Sequence, residues 1–300
     1  MLVSSHDSCQ HVPIGRTPTV RTAHDLQWPD LVWSHFSRPR FGNFDERVAG
    51  AAAAGFAGIG LFAPEYERLR DEEGRSAKDI RTQLDDHGLV IAEIETVTGW
   101  ASTNGPSDEC RRREALAYEM ADEFGCRYLQ AVGPYEGSPA DAALALAALC
   151  DRAAAHQLLV GIEFLPFTNI PTATDALEIV EAADRPNAGH CVDIWHHKRG
   201  ANDESLLRAL PADRIFAVQM NDGVMERAVG DYKADCMVNR VPPGEGEFDC
   251  VGFVQLLTGL GVRAPISLEV CSAELWAVPA GEAAARSADA MRAVLSEAGA

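Results

Sequence analysis

The 300-residue chain contains no apolar run approaching the roughly 18 residues of a membrane span, so its 47% hydrophobic content has to be buried in a folded interior. It contains no CxxC pair. Its eight cysteines, Cys9, Cys110, Cys126, Cys150, Cys191, Cys236, Cys250 and Cys271, are scattered, and several sit in apolar runs. That spacing argues against a zinc site or a disulfide framework and for reduced thiols in a cytoplasmic protein. There is no Lys/Arg run, and the formal net charge is −19. A nucleic-acid partner, which needs a basic footprint, is therefore not expected. The opening residues, MLVSSHDSCQHVPIG, lack the basic region and apolar core of a secretory signal, again an expectation of cytoplasmic location.

What is present is a regular alternation. Residues 1 to about 28 are polar, carry Pro13 and Pro18, and show no periodicity; they are expected to form an N-terminal extension. From residue 29 the chain is expected to be one domain. Strand candidates fall at 31–36, 58–62, 89–96, 128–133, 158–165, 189–194, 215–220 and 266–270. Helical patterns separate them at 46–55, 65–87, 108–125, 138–156, 173–184, 203–210 and 249–260, and a last one covers 280–297. Near-continuous apolar strands alternating with helices imply a parallel sheet covered by helices. The length and the number of units predict an α/β fold, a (β/α)8 TIM barrel. No Gly-rich fingerprint follows the first strand, which disfavours a doubly wound dinucleotide-binding sheet.

The candidate site lies in the second half. AGHCVDIWHHKRG (188–200) begins as a small, apolar strand and ends in Asp193 with His196 three positions later. Three further apolar runs end in one metal-capable residue: LLVGIEFLP at Glu163, RIFAVQM at Gln219 and PISLEV at Glu269. In a barrel these residues would end strands five to eight and converge on one side of the mouth. Three carboxylates in one cavity repel each other, and a divalent cation removes that repulsion. Ligands of this type favour Mn²⁺, Mg²⁺ or Co²⁺. Such an ion would take two adjacent substrate oxygens and stabilise an enolate. One of the carboxylates, or His196, would move the proton on the neighbouring carbon. NRVPPGEGEFD (239–249) reads as a rigid turn before a helix. Arg240 would clamp substrate oxygens or pair with Glu245 or Glu247, and Glu247 or Asp249 would cap the helix.

These residues together resemble the xylose-isomerase-like TIM-barrel superfamily: Glu163 in GIEFLP, Asp193 and His196 in DIWH, Gln219 in FAVQMND, Arg240 with PPGEGEFD, and Glu269 in SLEV. FDERVAGAAAAGFAGIGL also fits its first helix and second strand. Epimerases and isomerases of the superfamily usually place a histidine where this chain has Gln219. A glutamine there is similar to 3-dehydroshikimate dehydratases and inosose dehydratases. The resemblance implies metal ligands Glu163, Asp193, Gln219 and Glu269, with Glu163 and Glu269 also placed to act on substrate. It implies His196 as base or substrate contact and Arg240 as a substrate contact. His35, Glu95 and Trp100, from WSHF and EIETVTGW, are expected to line the pocket. The implied reaction is metal-dependent dehydration of a cyclic polyhydroxy ketone. The alternative is isomerisation or epimerisation of a keto-sugar. The expected partners are a small polyhydroxylated carbonyl compound and a second copy of the chain.

Overall fold

The computed structural model describes residues 22–226 and 230–300. Strands β1 (Leu31–Trp33), β2 (Gly58–Phe62), β3 (Val90–Val97), β4 (Tyr128–Val132), β5 (Leu159–Glu163), β6 (Ala188–Asp193), β7 (Ile215–Met220) and β8 (Ile266–Leu268) close into a barrel in chain order. Every neighbouring pair is parallel, including β8 with β1. The (β/α)8 barrel is thus as expected, and the differences are local. The strand candidate at 31–36 ends at Trp33, because Ser34 accepts from Phe36 N and turns the chain into a 3-10 helix, His35–Ser37. The helical pattern at 65–87 is two helices, Ala63–Asp71 and Ala77–Asp86. Gly74, at φ 69°, ends the first, and a capping box of Ser76 and Asp79 starts the second. Among the described residues, the segment between β7 and the turn at 239–249 carries one short helix, Tyr232–Cys236.

The main apolar core fills the ring between the sheet and the helices. Outward residues such as Ile59, Ile94, Leu129 and Val192 meet helix faces rich in alanine, whose small side chains permit close approach. In the helix Phe44–Ala53, Gly50 lies directly against the backbone of Ala280 and Gly281.

The interior of the barrel is different. TIM-barrel interiors are usually filled by layers of branched apolar residues. Here Glu93, Gln130, Gln219 and Ser267 occupy the middle, all buried. The Ser267 hydroxyl donates to Glu93 straight across the lumen, from β8 to β3. Ser34 Oγ reaches Glu95 Oε2 at 3.0 Å past β2. Gly60 on β2 makes this possible, since a Cβ there would strike both glutamates.

The expected boundary of the extension shifts. Residues 1–21 lie outside the described residues, but Ala23 and Leu26 are buried, and Leu26 packs with Val32 and Ala92 under the strands. Trp28 N donates to Arg263 O at 2.9 Å. Residues 22–28 therefore close the bottom of the barrel. Leu26→Ala is expected to lower the free energy of unfolding by about 2–4 kcal/mol, as for other buried leucines, while metal binding and turnover stay as in the parent. Chemical denaturation checks this; an unchanged midpoint would show that the segment does not belong to the core.

Candidate metal and active site

Each side chain is placed by the way its strand ends. Asp193 is the last residue of β6 and the N-cap of the helix Ile194–Lys198. Its Oδ1 accepts from Trp195 N and from Asn221 Nδ2, both at 2.8 Å. One helical turn on, His196 lies on the same side, with Nε2 3.6 Å from Asp193 Oδ2. The D-x-x-H spacing is thus a strand end, a cap and one turn. Glu163 ends β5; its Oε2 accepts from Gln130 Nε2 at 2.7 Å and its Oε1 lies 3.4 Å from His196 Nε2. Glu269 follows β8, and its own N–H still donates to Met220 O. Gln219 stands beside Asp193 in the β6–β7 register. Its Oε1 accepts the Cys191 thiol at 3.3 Å, and its Nε2 has no partner among the described residues.

Arg240 ties these ends together. Nη1 donates to Asp193 Oδ2 at 2.7 Å and lies 3.3 Å from Glu269 Oε2. Nε donates to Cys236 O at 2.9 Å, and Nη2 is 3.4 Å from His196 Nε2. Pairing of Arg240 with Glu245 or Glu247 does not occur: Glu245 pairs with Arg286, and Glu247 accepts from Met225 N. The turn that follows Arg240 wraps around the buried carboxylate of Asp222. Gly244 N and Gly246 N donate to Oδ2, and Gly223 N and Phe248 N donate to Oδ1, at 2.7–3.0 Å. Gly246 is required because a Cβ there would overlap Asp222 Oδ1. Asp249 caps the following helix, Cys250–Leu260.

Two of the expected pocket residues of the early strands fall into the wall. Both ring nitrogens of His35 are engaged, Nε2 by Arg40 O at 2.8 Å and Nδ1 by the buried Arg47 at 3.1 Å. Trp100 lies in the core and donates to Val132 O at 3.0 Å. Glu95 accepts from Ser34 Oγ and from His35 N. The polar atoms of His35 and Trp100 are thus engaged within the wall, whereas the Glu95 carboxyl lies in the lumen, near enough to Glu269 for its charge to act there. His197, the residue after His196, is buried against Phe253. The seven described cysteines are free and buried, as expected of reduced thiols.

Sequence reasoning missed Gln130, Glu93, Asn221, Asp222 and Tyr232. Gln130 and Glu93 did carry a signal, a polar residue inside an apolar strand, but the residues singled out, Gln219 among them, were those that end such runs.

The electrostatics are those of a cation site. Burial, then the charges of Glu269 and Asp193, hold the Glu163 carboxyl well above its ordinary range. Burial likewise pushes Glu269 up to about 8. Burial also acts upward on Asp193, but Arg240 and then His196 outweigh it and hold this carboxyl low. Three buried carboxyls thus share one guanidinium, and a dication fits the remaining negative charge. Glu163, Asp193 and His196 each offer one ligand atom within 4.8 Å of the others. The oxygen and imidazole donors suit a hard or borderline divalent ion.

Burial also raises Glu93 to about 7 and, with the charge of Glu93, Glu95 to about 8. In the unfolded chain these carboxyls lose their protons near the ordinary 4.5. The folded state binds more protons between these limits. The stability these groups contribute is therefore fully present below pH 4.5 and lost as pH rises through about 8. Metal-free protein is expected to show a Tm that falls over this window, and an added divalent cation restores most at the upper end. Thermal scans with and without chelator check this; a Tm that is flat with pH and indifferent to cation would overturn the cation-site assignment.

The family profile described as "Xylose isomerase-like TIM barrel" matches residues 48–294. A protein named 3-dehydroshikimate dehydratase from Pseudomonas aeruginosa is 29% identical over 268 residues, 85% of this chain. The chain spans 40% of that relative's own length. A protein named inosose isomerase from Bacillus subtilis is 29% identical over 143 residues, 46% of this chain and 49% of the relative. Among solved structures, the IolI protein with a bound zinc atom superposes with a TM-score of 0.78 at 19% identity, over 89% of this chain and 98% of that one, a likeness of fold.

Proposed function

The chain belongs to the xylose isomerase-like TIM barrel family, and we propose that it is a divalent-metal-dependent dehydratase of a cyclic polyhydroxy ketone, with 3-dehydroshikimate as the first substrate to test. The observation that carries the dehydratase assignment is Gln219, a fully buried amide at the end of β7 beside Asp193. The epimerase branch of the resemblance has a histidine there. The similarity to a 3-dehydroshikimate dehydratase over 85% of the chain supports the same assignment.

Glu163, Asp193, Gln219 and Glu269 would hold the ion, and a divalent cation bound there would supply Lewis-acid polarisation of the substrate carbonyl. The chain's own groups do the rest. Arg240, gripped by Asp193, Glu269 and the Cys236 carbonyl, presents a fixed guanidinium to substrate oxygens. His196 is 3% exposed; burial lowers its pKa and leaves the resting imidazole neutral, while the charge of Asp193 beside it acts to favour the protonated ring. It takes the proton from the carbon next to the carbonyl at Nε2. It then returns that proton to the hydroxyl on the next carbon, which leaves as water, and the base is restored. Burial of the whole cluster keeps bulk water from competing for the proton.

A second reading, isomerisation or epimerisation of a keto-sugar, is favoured by the partial similarity to an inosose isomerase. It would use Glu163 and Glu269 on either side of the substrate. Incubation with Mn²⁺ or Mg²⁺ and 3-dehydroshikimate is expected to give an aromatic product visible in the ultraviolet, abolished by chelator. Deuterium uptake from D₂O by inososes or keto-sugars, without water loss, would instead establish the second reading. Glu269→Gln is expected to lower turnover by at least about 100-fold with an unchanged circular dichroism spectrum, because the residue stands at the mouth and not in the packed ring. A variant that unfolds would make Glu269 structural.

A further inference from the structure

Each of the three mouth carboxylates has one oxygen taken up by the chain itself. Asp193 Oδ1 accepts from Trp195 N and from Asn221 Nδ2, both at 2.8 Å. Glu269 Oε2 lies 3.3 Å from Arg240 Nη1. Glu163 Oε2 accepts from Gln130 Nε2 at 2.7 Å, and among the described residues this amide is its only hydrogen-bond donor. Asp193 is thus held twice over, whereas Glu163 depends on one side chain. The other oxygen of Glu163, Oε1, lies 3.4 Å from His196 Nε2, where Glu163, Asp193 and His196 bring their ligand atoms together.

Gln130 sits in the middle of β4, one level below the mouth. The β4–β5 register sets it beside Gly161, two residues before Glu163. The side chain is buried, and its amide reaches up inside the barrel. A carboxylate that ligates a metal is ionised and only accepts hydrogen bonds. The amide therefore presents its N–H to Glu163 and turns its carbonyl oxygen away. That oxygen has no partner among the described residues. A buried acceptor without a partner costs stability. An apolar side chain would pack this position better, so what Gln130 contributes is its grip on one oxygen of Glu163.

The grip matters for the number of places left on the ion. An octahedral ion has six positions. Four side chains that give one atom each leave two, as many as a pair of neighbouring substrate oxygens needs. A carboxylate is also able to give both oxygens, and each one that does so closes a position. We propose that Gln130 is a positioning residue that holds Glu163 Oε2 back from the metal, so that Glu163 offers Oε1 alone and a position stays open for substrate. This inference rests on the metal site proposed above.

The test uses the full chain loaded with Mn²⁺ alone. Line broadening of its electron paramagnetic resonance in ¹⁷O-enriched water counts the waters on the ion. The parent is expected to hold two. Gln130→Met keeps the volume and removes the N–H, and Gln130→Leu is a second variant of the same kind. Both are expected to hold one water, to bind Mn²⁺ no more weakly than the parent, and to lose about 10- to 100-fold in kcat/KM. Without metal their Tm should equal or exceed the parent's, because the unpartnered acceptor is gone. Tyr128→Phe alters the layer below, where the hydroxyl lies 3.4 Å from Gly161 O, and should keep two waters. Variants of Gln130 that keep two waters, or that gain one as Mn²⁺ binding weakens, overturn the proposal. So does a Tyr128→Phe protein that loses a water as they do, and a marked fall in Tm of both Gln130 variants would make the residue structural. A parent that binds no Mn²⁺ removes the metal reading and this inference with it. A water count that responds as expected in a protein inactive on 3-dehydroshikimate leaves the positioning role standing and removes only the substrate.

Discussion

Like charges crowded into a water-poor space are the constraint on which this structure turns. Glu163, Asp193 and Glu269 reach the barrel mouth from three strands, and one guanidinium stands among them. Such a cluster is unfavourable unless something compensates it. Burial raises two of the three carboxyls, and Arg240 holds the third low. Much of the surrounding architecture serves to keep Arg240 where it is. Its backbone N–H is fixed to Cys271 O and its Nε to Cys236 O. Its plane lies over Trp195, 5.4 Å from the ring.

The turn after Arg240 shows how a second, unrelated carboxylate stabilises the first set. Asp222 has no part in the mouth cluster, yet it gathers the amides of Gly223, Gly244, Gly246 and Phe248. Those bonds convert a loop with two prolines and two glycines into a rigid frame. The same economy appears at Asp193, whose carboxylate both caps a helix and takes part in the ion cluster.

The barrel and its four strand-end residues were legible because each followed an apolar run, and strand period and strand end are local features. His35 and Trp100 were not legible in the same way. They occupy plausible pocket positions, but their polar atoms are engaged by Arg40, Arg47 and Val132, contacts made by distant or irregular chain. Tyr232 and Asp222 left no trace because their meaning lies in pairings across the segment after β7, where no periodicity guides the eye. Residues 22–28 read as extension because their apolar members, Ala23, Leu26 and Trp28, are too few to form a pattern, although two of them are buried.

The lumen has a consequence for how such a protein can change. Its centre is a lattice of carboxyl, amide and hydroxyl groups, while most of the oily packing sits outside the strands, with two small apolar clusters apart from it. Cohesion therefore resides in the outer ring and reactivity in the hollow, with the sheet as the partition between them. Substitutions that harden the ring against heat need not disturb the hollow. Conversely, the polar lattice can be rewired for another ring-shaped substrate without dissolving the fold, a modularity built from nothing more than which way alternate side chains point.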